Sequence, residues 1–320
     1  MIKELEFLEI IGSTLSDPSF LGDDCAFLED LNLFVTHDSL VEDVHFELKT
    51  ISPYYLGRKS VAVNLSDLAA NLATPKYITV ALSLPNSTST DFVKEFYRGV
   101  NDICTEYNVK VAGGDITSSS KVVISICAFG IKDCNFLTSR KSAKAGDLVI
   151  STGQHGLSSC ALYCLQNEIK ASKELLEHHI NPTPRIKESL ELKKVLTNNI
   201  ATMDSSDGLM DALYKISKAS DVSIEIDLKQ IPVNEELREI ATKTNKDMFN
   251  WIFWGGEDYE LIACVSEETY KKLPPKEFEI IGKVTKKDSD YNVKITGNEQ
   301  DIFINEETFN NKSFDHFKEQ

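Results

Sequence analysis

A chain of 320 residues, 42% of them apolar, is long enough for about two globular domains with sizeable cores. Its 50 acidic residues outnumber its 34 basic residues and give a formal net charge of −16. This balance argues against nucleic acid or an anionic membrane as the main partner, because both prefer clustered lysine and arginine. If a phosphorylated ligand binds here, we expect metal cations to mediate the contact.

The N-terminal stretch MIKELEFLEIIGS has no basic segment followed by an apolar run, so it does not resemble a signal peptide. No stretch approaches the ~18 apolar residues that a spanning helix needs. The seven cysteines are scattered, and no paired CxxC spacing predicts a zinc site. We therefore expect a cytoplasmic protein with reduced thiols.

The first half of the chain alternates between strand and helix patterns. The second of its helices has an apolar face at helical spacing, and Thr90 is its predicted N-cap. Strands that pair around two helices on one side predict an α+β layer, ferredoxin-like or close to it. The predicted strands are 31–40, 76–85, 109–115 and 121–131, and the predicted helices are 60–73 and 91–108.

A polar and partly basic connection at 132–147 is the expected domain boundary. It divides the chain into an N-terminal domain, 1–136, and a C-terminal domain, 137–320. Beyond the connection, strand and helix patterns predict a mixed α/β domain. The predicted strands are 147–152, 200–204, 222–228, 259–266, 277–284 and 291–297, and the predicted helices are 186–196 and 205–220.

A polar stripe runs along the otherwise small and apolar helix 60–73. Asn64, Asp67 and Asn71 are spaced three and four residues apart and so share one face. The stripe could face solvent, or Asp67 could be a partly buried carboxylate that needs a cation or hydrogen-bond donors. From the helix alone both interpretations remain open.

Further aspartates stand where strands or loops end. Each alone could be a turn residue or a cap, and we expect Asp207 or one of the serines before it to cap the following helix. Their recurrence at element ends, in a chain with neither GxxxxGK[ST] nor GxGxxG after a strand, favours a cluster that holds Mg²⁺ ions. These aspartates are Asp24, Asp38, Asp115, Asp204 and Asp207.

Two glycine-containing stretches are less specific. The amides of STGQHGLS, before a helix, could bind an anion, but the signal is weak. FWGGEDYELIACV reads structurally as a turn that enters a strand, although its two glycines also allow close backbone approach. His178 and His179 lie in a polar helical segment and are expected to be solvated.

Taken in order, nine motifs resemble the thiamine monophosphate kinase family, in the superfamily that includes aminoimidazole ribonucleotide synthetase and selenophosphate synthetase. The resemblance runs from near residue 20 to near residue 284, with a weaker echo in SFDHF. The combination of GGEDYEL, VEDVHF and NLSDLAA is specific, whereas GGD alone is not. The motifs are LGDDCAF, THDSLVEDVHF, AVNLSDLAA, VAGGD, LTSRKSAKAGD, STGQHGLS, PTPR, MDSSDGL and GGEDYEL.

The resemblance implies a transferase that uses ATP and several Mg²⁺ ions to phosphorylate thiamine monophosphate to thiamine diphosphate. It implies two α/β domains, the first of which pairs across a homodimer to close a shared β-barrel. Because the acceptor is itself a phosphate, already largely deprotonated at pH 7, no catalytic general base is expected. The alternatives are another ATP-dependent synthetase of the superfamily and a nucleotide-binding regulator without turnover.

The resemblance also assigns roles to individual residues. His37 stands where the family usually has a second hydroxyl residue, so it could ligate metal through its side chain or only through its backbone carbonyl. Spacing alone slightly favours His45 as a capped or packed loop histidine, and the resemblance moves the balance towards a substrate contact. Metal ligands fall on Asp24, Thr36, Asp38, Asp67, Asp115, Asp204 and Asp207; ATP contacts fall on Gly114, Asp115, Arg140 and Ser206; substrate contacts fall on His45, Glu257 and Phe314.

Overall fold

The computed structural model describes residues 3–297 and 300–316 of the chain. Within these ranges the helices are α1 Lys3–Thr14, α2 Pro53–Ala70, α3 Thr90–Glu106, α4 Leu157–Gln166, α5 Lys173–Ile180, α6 Ile186–Val195, α7 Leu209–Ser220, α8 Glu235–Thr244, α9 Met248–Trp254, α10 Glu267–Tyr270 and α11 Glu306–Lys312. The strands are β1 Ala26–Leu28, β2 Leu33–Val41, β3 Thr74–Leu84, β4 Lys110–Ser118, β5 Val123–Ile131, β6 Leu148–Ser151, β7 Ala201–Asp204, β8 Val222–Asp227, β9 Leu261–Val265, β10 Glu279–Lys286, β11 Val293–Thr296 and β12 Ile302–Ile304.

The first sheet has the strand order β1-β2-β5-β3-β4, in which β3 and β4 are parallel and the other pairs antiparallel. Side chains along β5 alternate between buried and half-buried positions, as expected for a sheet with one covered face. That face packs on α2 and α3, where Leu56, Phe96 and Ile103 are fully buried. The predicted α+β layer is therefore confirmed.

The N-cap of α3 differs from the prediction by one residue. Ser89, with extended backbone angles, accepts the N–H of Phe92 through its side chain, so Thr90 is the first helical residue. Serine and threonine are both good N-caps, and the apolar spacing does not separate adjacent hydroxyl residues. The predicted apolar face is confirmed, because Phe96, Val100 and Ile103 are buried.

The second sheet has the order β12-β11-β8-β10-β6-β9-β7, and helices cover it to form the mixed α/β domain that the sequence predicts. Helix α7 begins at Leu209 rather than at 205, and its N-cap Gly208 offers no side-chain bond. The prediction that Asp207 or a preceding serine caps this helix is therefore wrong. Gly208 has φ +104°, and a Cβ there would lie 2.8 Å from the carbonyl oxygen of Gly255, so close backbone approach determines this helix start.

Helix α2 joins the two halves of the molecule. It contacts β2 and β5 of the first sheet and β7 and β9 of the second. Most of its side chains are buried, including polar ones such as Asn64 and Ser66. Side chains on this helix therefore lie at the junction between the two sheets.

Among the helices of the described residues, none combines the length and apolarity that a membrane crossing requires.

Candidate active site

Three carboxylates meet at the junction of the two sheets. Asp24 precedes β1, Asp67 lies on α2, and Asp204 ends β7. One carboxylate oxygen from each lies within 4.8 Å of the others, and we name these three residues the aspartate cluster. Strand ends and a buried helix thus bring together acids that are far apart in sequence.

The hydrogen-bond donors around the aspartate cluster are few. Thr36 donates through Oγ1 to Asp67, and Ser66 Oγ donates to Asp204 Oδ2 at 2.5 Å. Arg140 Nη2 lies 2.5 Å from Asp24 Oδ1. Among the described residues, Asp204 Oδ1 is buried without a donor. Within the described residues, the cluster therefore has fewer donors and less positive charge than three carboxylates require.

The electrostatics agree with this shortage. Burial, reinforced by neighbouring carboxylates, raises the pKa of Asp204 to about 7 and that of Asp67 well above its ordinary value. Burial likewise raises the pKa of Asp38 to about 6 and raises that of Asp24, although Arg140 opposes the shift at Asp24. Carboxylates forced together without enough counter-charge are suited to binding a cation.

The polar stripe on α2 faces this site rather than solvent. Asn64 is fully buried, and its Oδ1 accepts the N–H of Asp38 at 3.2 Å. Asp67 is partly buried and Asn71 is buried. Of the two interpretations open from the sequence, the structure selects a carboxylate held inside the protein.

Asp207 and Asp23 flank the aspartate cluster in different ways. Asp207 is half exposed, and its Oδ2 lies 3.3 Å from Lys215 Nζ. Asp23, which the sequence did not single out, accepts the Ser139 hydroxyl and the Arg140 N–H, both at 2.8 Å. Asp23 thereby ties the loop that carries Asp24 to the connection between the domains. The two consecutive acids in LGDDCAF are the sequence feature that could have indicated a role for Asp23.

His37 lies on the other side of the first sheet. Because side chains alternate along β2, Thr36 and Asp38 point towards α2 and His37 points away. Its Nε2 lies 2.7 Å from Ser125 Oγ. Within one chain, a ligand role for His37 would therefore fall to its backbone carbonyl.

Gly114 and Asp115 are also apart from the aspartate cluster in this chain. The sheet register joins Ser39 to Ser125, Ser125 to Ala81 and Ala81 to Asp115. Three strand spacings separate Asp115 from β2, which is about 14 Å. Both residues lie on β4, an edge strand whose side chains are all exposed.

A cleft of ≈ 920 Å³ opens beside the aspartate cluster. Its lining combines acids from the predicted metal set with all three predicted substrate contacts. Ser206 lines it as well, whereas Arg140 is outside the described lining and contacts Asp24. The residues shared with the predictions are Asp38, Asp67, Asp207, Ser206, His45, Glu257 and Phe314.

His45 has a defined orientation in this cleft. Its Nδ1 accepts the N–H of Val41 at 3.1 Å, and its ring centroid lies 5.1 Å from that of His316. Burial, with a contribution from His316, lowers the pKa of His45, which favours the neutral ring. Because Nδ1 acts as the acceptor, the neutral ring carries its proton on Nε2 and can donate it.

The acids of GGEDYEL have separate partners. Asp258 accepts the N–H groups of Gly156 at 2.6 Å and of Ser158 at 2.9 Å. The amides of STGQHGLS, considered above as a weak candidate anion site, thus bind a carboxylate of the chain itself. Glu260 Oε1 and Oε2 lie 2.5 and 2.7 Å from two guanidinium nitrogens of Arg185.

Glu257 has two buried partners that the sequence did not predict. Its Oε1 lies 2.9 Å from Lys59 Nζ, and its Oε2 lies 3.3 Å from His179 Nδ1. His179 is buried, so the expectation that it is solvated is wrong; its helix α5 packs against α4. His178, also expected to be solvated, is only partly exposed. The position of Lys59 within a largely buried helix, α2, is the feature that could have indicated a buried and paired charge.

The chain is similar to known proteins in sequence and in fold. Residues 22–132 match the family described as AIR synthase related protein, N-terminal domain, and residues 144–293 match its C-terminal domain. The chain is 34% identical over 311 residues to a thiamine-monophosphate kinase of Buchnera aphidicola subsp. Acyrthosiphon pisum (strain APS), covering 93% of this chain and 92% of the relative. It is 33% identical over 263 residues to the thiamine-monophosphate kinase of Bacillus subtilis (strain 168), covering 79% of each. A solved structure described as AaThiL complexed with AMPPCP and TMP superposes with a TM-score of 0.83 at 31% identity, covering 94% of this chain and 97% of that chain.

Proposed function

This chain belongs to the thiamine-monophosphate kinase family, and we propose that it transfers the terminal phosphoryl group of ATP to thiamine monophosphate, giving thiamine diphosphate and ADP. The related structure that holds AMPPCP, an ATP analogue, together with TMP supports both substrates. The observation that carries the proposal is the shared cleft. Asp38, Asp67 and Asp207 line it together with His45 and Glu257.

Magnesium ions are proposed to bind at the aspartate cluster. The fit rests on three oxygens within 4.8 Å of one another and on Asp204 Oδ1, which has no donor among the described residues. Carboxylate oxygens are the ligands that Mg²⁺ prefers, and Asp38, Asp207 and Thr36 supply further oxygens nearby. When bound, the ions would supply positive charge between the two polyanionic substrates.

The residues of the chain then position the reactants. An oxygen of the acceptor phosphate forms a bond to the γ-phosphorus of ATP, the bond to the β,γ-bridging oxygen breaks, and ADP keeps the electron pair. No proton need be removed from the acceptor, because a phosphate monoester with a second pKa near 6 is largely deprotonated at pH 7. The Nε2–H of His45 is available to a phosphate or pyrimidine acceptor. Glu257 and the aromatic face of Phe314 suit the cationic thiazolium.

ATP contacts are proposed at Arg140, Ser206, Gly114 and Asp115. The last two lie on the edge strand β4, which also exposes 64% of Ile116. A long exposed edge is a template for pairing with another strand. We therefore propose a homodimer whose first domains close a shared β-barrel over these residues. Light scattering should report a dimer, and Ile116→Lys should shift it towards monomer.

Domain limits and location are proposals as well. A division into 1–136 and 137–320 is supported by the change of sheet across the connection and by the separate domain families that match either side. A cytoplasmic location is supported by the scattered cysteines, which are all free thiols in the structure. Limited proteolysis and cell fractionation test these two proposals.

The function is tested by ADP release with and without thiamine monophosphate, with the product identified by phosphorus NMR. We expect ADP release that depends on thiamine monophosphate and stops when EDTA removes divalent metal. ADP release that requires a different acceptor would point to another synthetase of the superfamily. ATP binding without turnover on any acceptor would point to a regulator.

A further inference from the structure

A fully buried lysine lies behind the cleft. Lys59 of α2 has 0% side-chain exposure, and its Nζ lies 2.9 Å from Glu257 Oε1. Burial of an ammonium group is costly unless the charge is paired. The phosphoryl-transfer chemistry at the aspartate cluster makes no use of this residue. Its charge therefore needs another explanation.

Stability alone does not explain the pair. Removal of two charges from water offsets most of their attraction, so apolar replacements of a buried pair are often neutral or stabilising. A Met side chain would fill the place of Lys59 in α2 without that cost. The pair is more informative as a device that fixes one conformation.

Glu257 has two side-chain neighbours and one backbone hydrogen bond, and it borders the cleft. Its Oε2 lies 3.3 Å from Nδ1 of His179, which in turn lies 3.0 Å from Ser158 Oγ. Its backbone has φ +66°, and its N–H donates to the Ser206 carbonyl at 2.6 Å. A left-handed backbone and two fixed side-chain partners leave little rotational freedom. The 25% of the side chain that stays exposed borders the cleft.

The charges around Glu257 favour its ionised form. Burial acts to raise its pKa, but the ammonium group of Lys59 holds the pKa below its ordinary value. Burial, with a contribution from Lys59, lowers the pKa of His179 to about 4, so that ring is neutral. Lys59 is thus the cation that keeps a carboxylate in this wall of the cleft.

We propose that Lys59 and His179 are positioning residues that hold the Glu257 carboxylate towards the cleft, where it binds the cationic, nitrogen-rich part of thiamine monophosphate. This inference rests on the proposed function. Because the contact is to a part of the substrate that does not react, it lowers the KM for thiamine monophosphate and leaves kcat and the KM for ATP unchanged. Lys59 and His179 act only through Glu257.

A double-mutant cycle tests the proposal. The variants are Lys59→Met, Glu257→Gln and both together, with Lys193→Met as a matched control. Lys193 is also a helical lysine in an ion pair, 2.5 Å from Asp133, and is outside the described lining of the cleft. Steady-state kinetics on thiamine monophosphate and on ATP are measured for each, together with the melting temperature.

Each single variant should raise the KM for thiamine monophosphate about tenfold with the KM for ATP unchanged. The double variant should match Glu257→Gln, because Lys59 has nothing further to position once Glu257 is neutral. Its melting temperature should be no lower than that of Lys59→Met, since neither partner remains as an unpaired charge. Lys193→Met should keep wild-type constants.

Three outcomes overturn the inference. The first is an unchanged KM for thiamine monophosphate in folded Lys59→Met, and the second is a rise of about a hundredfold in the double variant, the product of independent effects. The third applies if Lys59→Met does not fold: His179→Leu should then raise the same KM about threefold, and no rise overturns the inference. Failure of the wild type to phosphorylate thiamine monophosphate removes the proposed function itself, and with it this role of Glu257.

Discussion

The aspartate cluster and the pair Asp258 and Glu260 both bury carboxylates, but only the pair has a set of donors for each carboxylate. Asp258 receives two backbone N–H groups, and Glu260 receives two guanidinium nitrogens of Arg185. In the aspartate cluster, Asp204 Oδ1 has no donor within the described residues, and Arg140 is the cation that contacts Asp24. The same residue types thus have two different environments in one molecule.

The difference lies in hydrogen-bond donors rather than in burial. Burial raises the pKa of Asp258 to about 8 and that of Asp204 to about 7, so the direction of the pKa shift does not separate the two regions. Donors do separate them, because a buried polar atom without a partner is costly in the native state. A complete donor set indicates a structural role, and an incomplete set indicates a place for a ligand.

Among the variants that test this comparison, Asp67→Asn should have the largest effect, and the effect should be on turnover. An amide is neutral and a poorer Mg²⁺ ligand, so kcat should fall about a thousandfold, comparable to loss of one preorganised charge-stabilising group. The melting temperature of the metal-free protein should not fall, because the variant removes one of three crowded acids whose ionised forms repel one another. Turnover and melting temperature are measured on the same preparation.

Asp133→Asn is the matched control for this variant. Asp133 is paired with Lys193 on the surface and should tolerate the change with wild-type turnover. Near-normal activity of Asp67→Asn would remove Asp67 from the site. A large loss of stability would place it instead in the group of carboxylates that support the fold.

A stability effect of the opposite kind is expected from Arg185→Met. It leaves the buried Glu260 without its bidentate partner, and the loss of one member of such a pair costs about 3 kcal/mol of unfolding free energy. Urea unfolding at pH 7 measures this change, with the exposed neighbour Lys187→Met as control. An unchanged unfolding free energy would show that donor supply does not distinguish the two regions.

Much of the fold follows from sequence pattern, because strand and helix periodicity is local. Asp24 and Asp204 could be placed at the ends of elements from the sequence, and the sheets then bring those ends together. The partners of Glu257 could not be predicted in this way. Lys59 and His179 reach it from two helices distant in sequence, and helical spacing reports only on neighbours within one helix.

The electrostatic side of the comparison predicts a pH dependence in metal-free protein. The pKa of Asp38 is raised to about 6 and that of Asp204 to about 7, above the ordinary value near 4 of an unfolded aspartate. The folded chain therefore binds protons more tightly than the unfolded chain between about pH 4 and pH 7, and the unfolding free energy falls as pH rises through that range. The slope is at most about 1.4 kcal/mol per pH unit for each proton concerned.

Unfolding in EDTA at several pH values measures this slope. Asp204→Asn should have a smaller slope, because the substituted side chain does not titrate. Added Mg²⁺ should raise the stability of the wild type near neutral pH more than that of the variant, since ligands of the native state stabilise it by mass action. Equal slopes for both proteins would contradict the assignment of raised pKa values to this cluster.

The smallest expected effect concerns His45 in the lining of the cleft. His45 Nδ1 is engaged by the Val41 N–H, so its Nε2–H is the group available to the substrate. His45→Ala should raise the KM for thiamine monophosphate about tenfold, equivalent to about 1.4 kcal/mol of binding, while the KM for ATP stays constant. His178→Ala, a helical histidine outside the described lining of the cleft, is the control and should keep both constants. A change in the KM for ATP instead would place His45 on the nucleotide side of the cleft, and loss of the folded state would place it in the scaffold. In the second case the hydrogen bond from the Val41 N–H to Nδ1 would have a structural role, like the hydrogen bonds to Asp258 and Glu260.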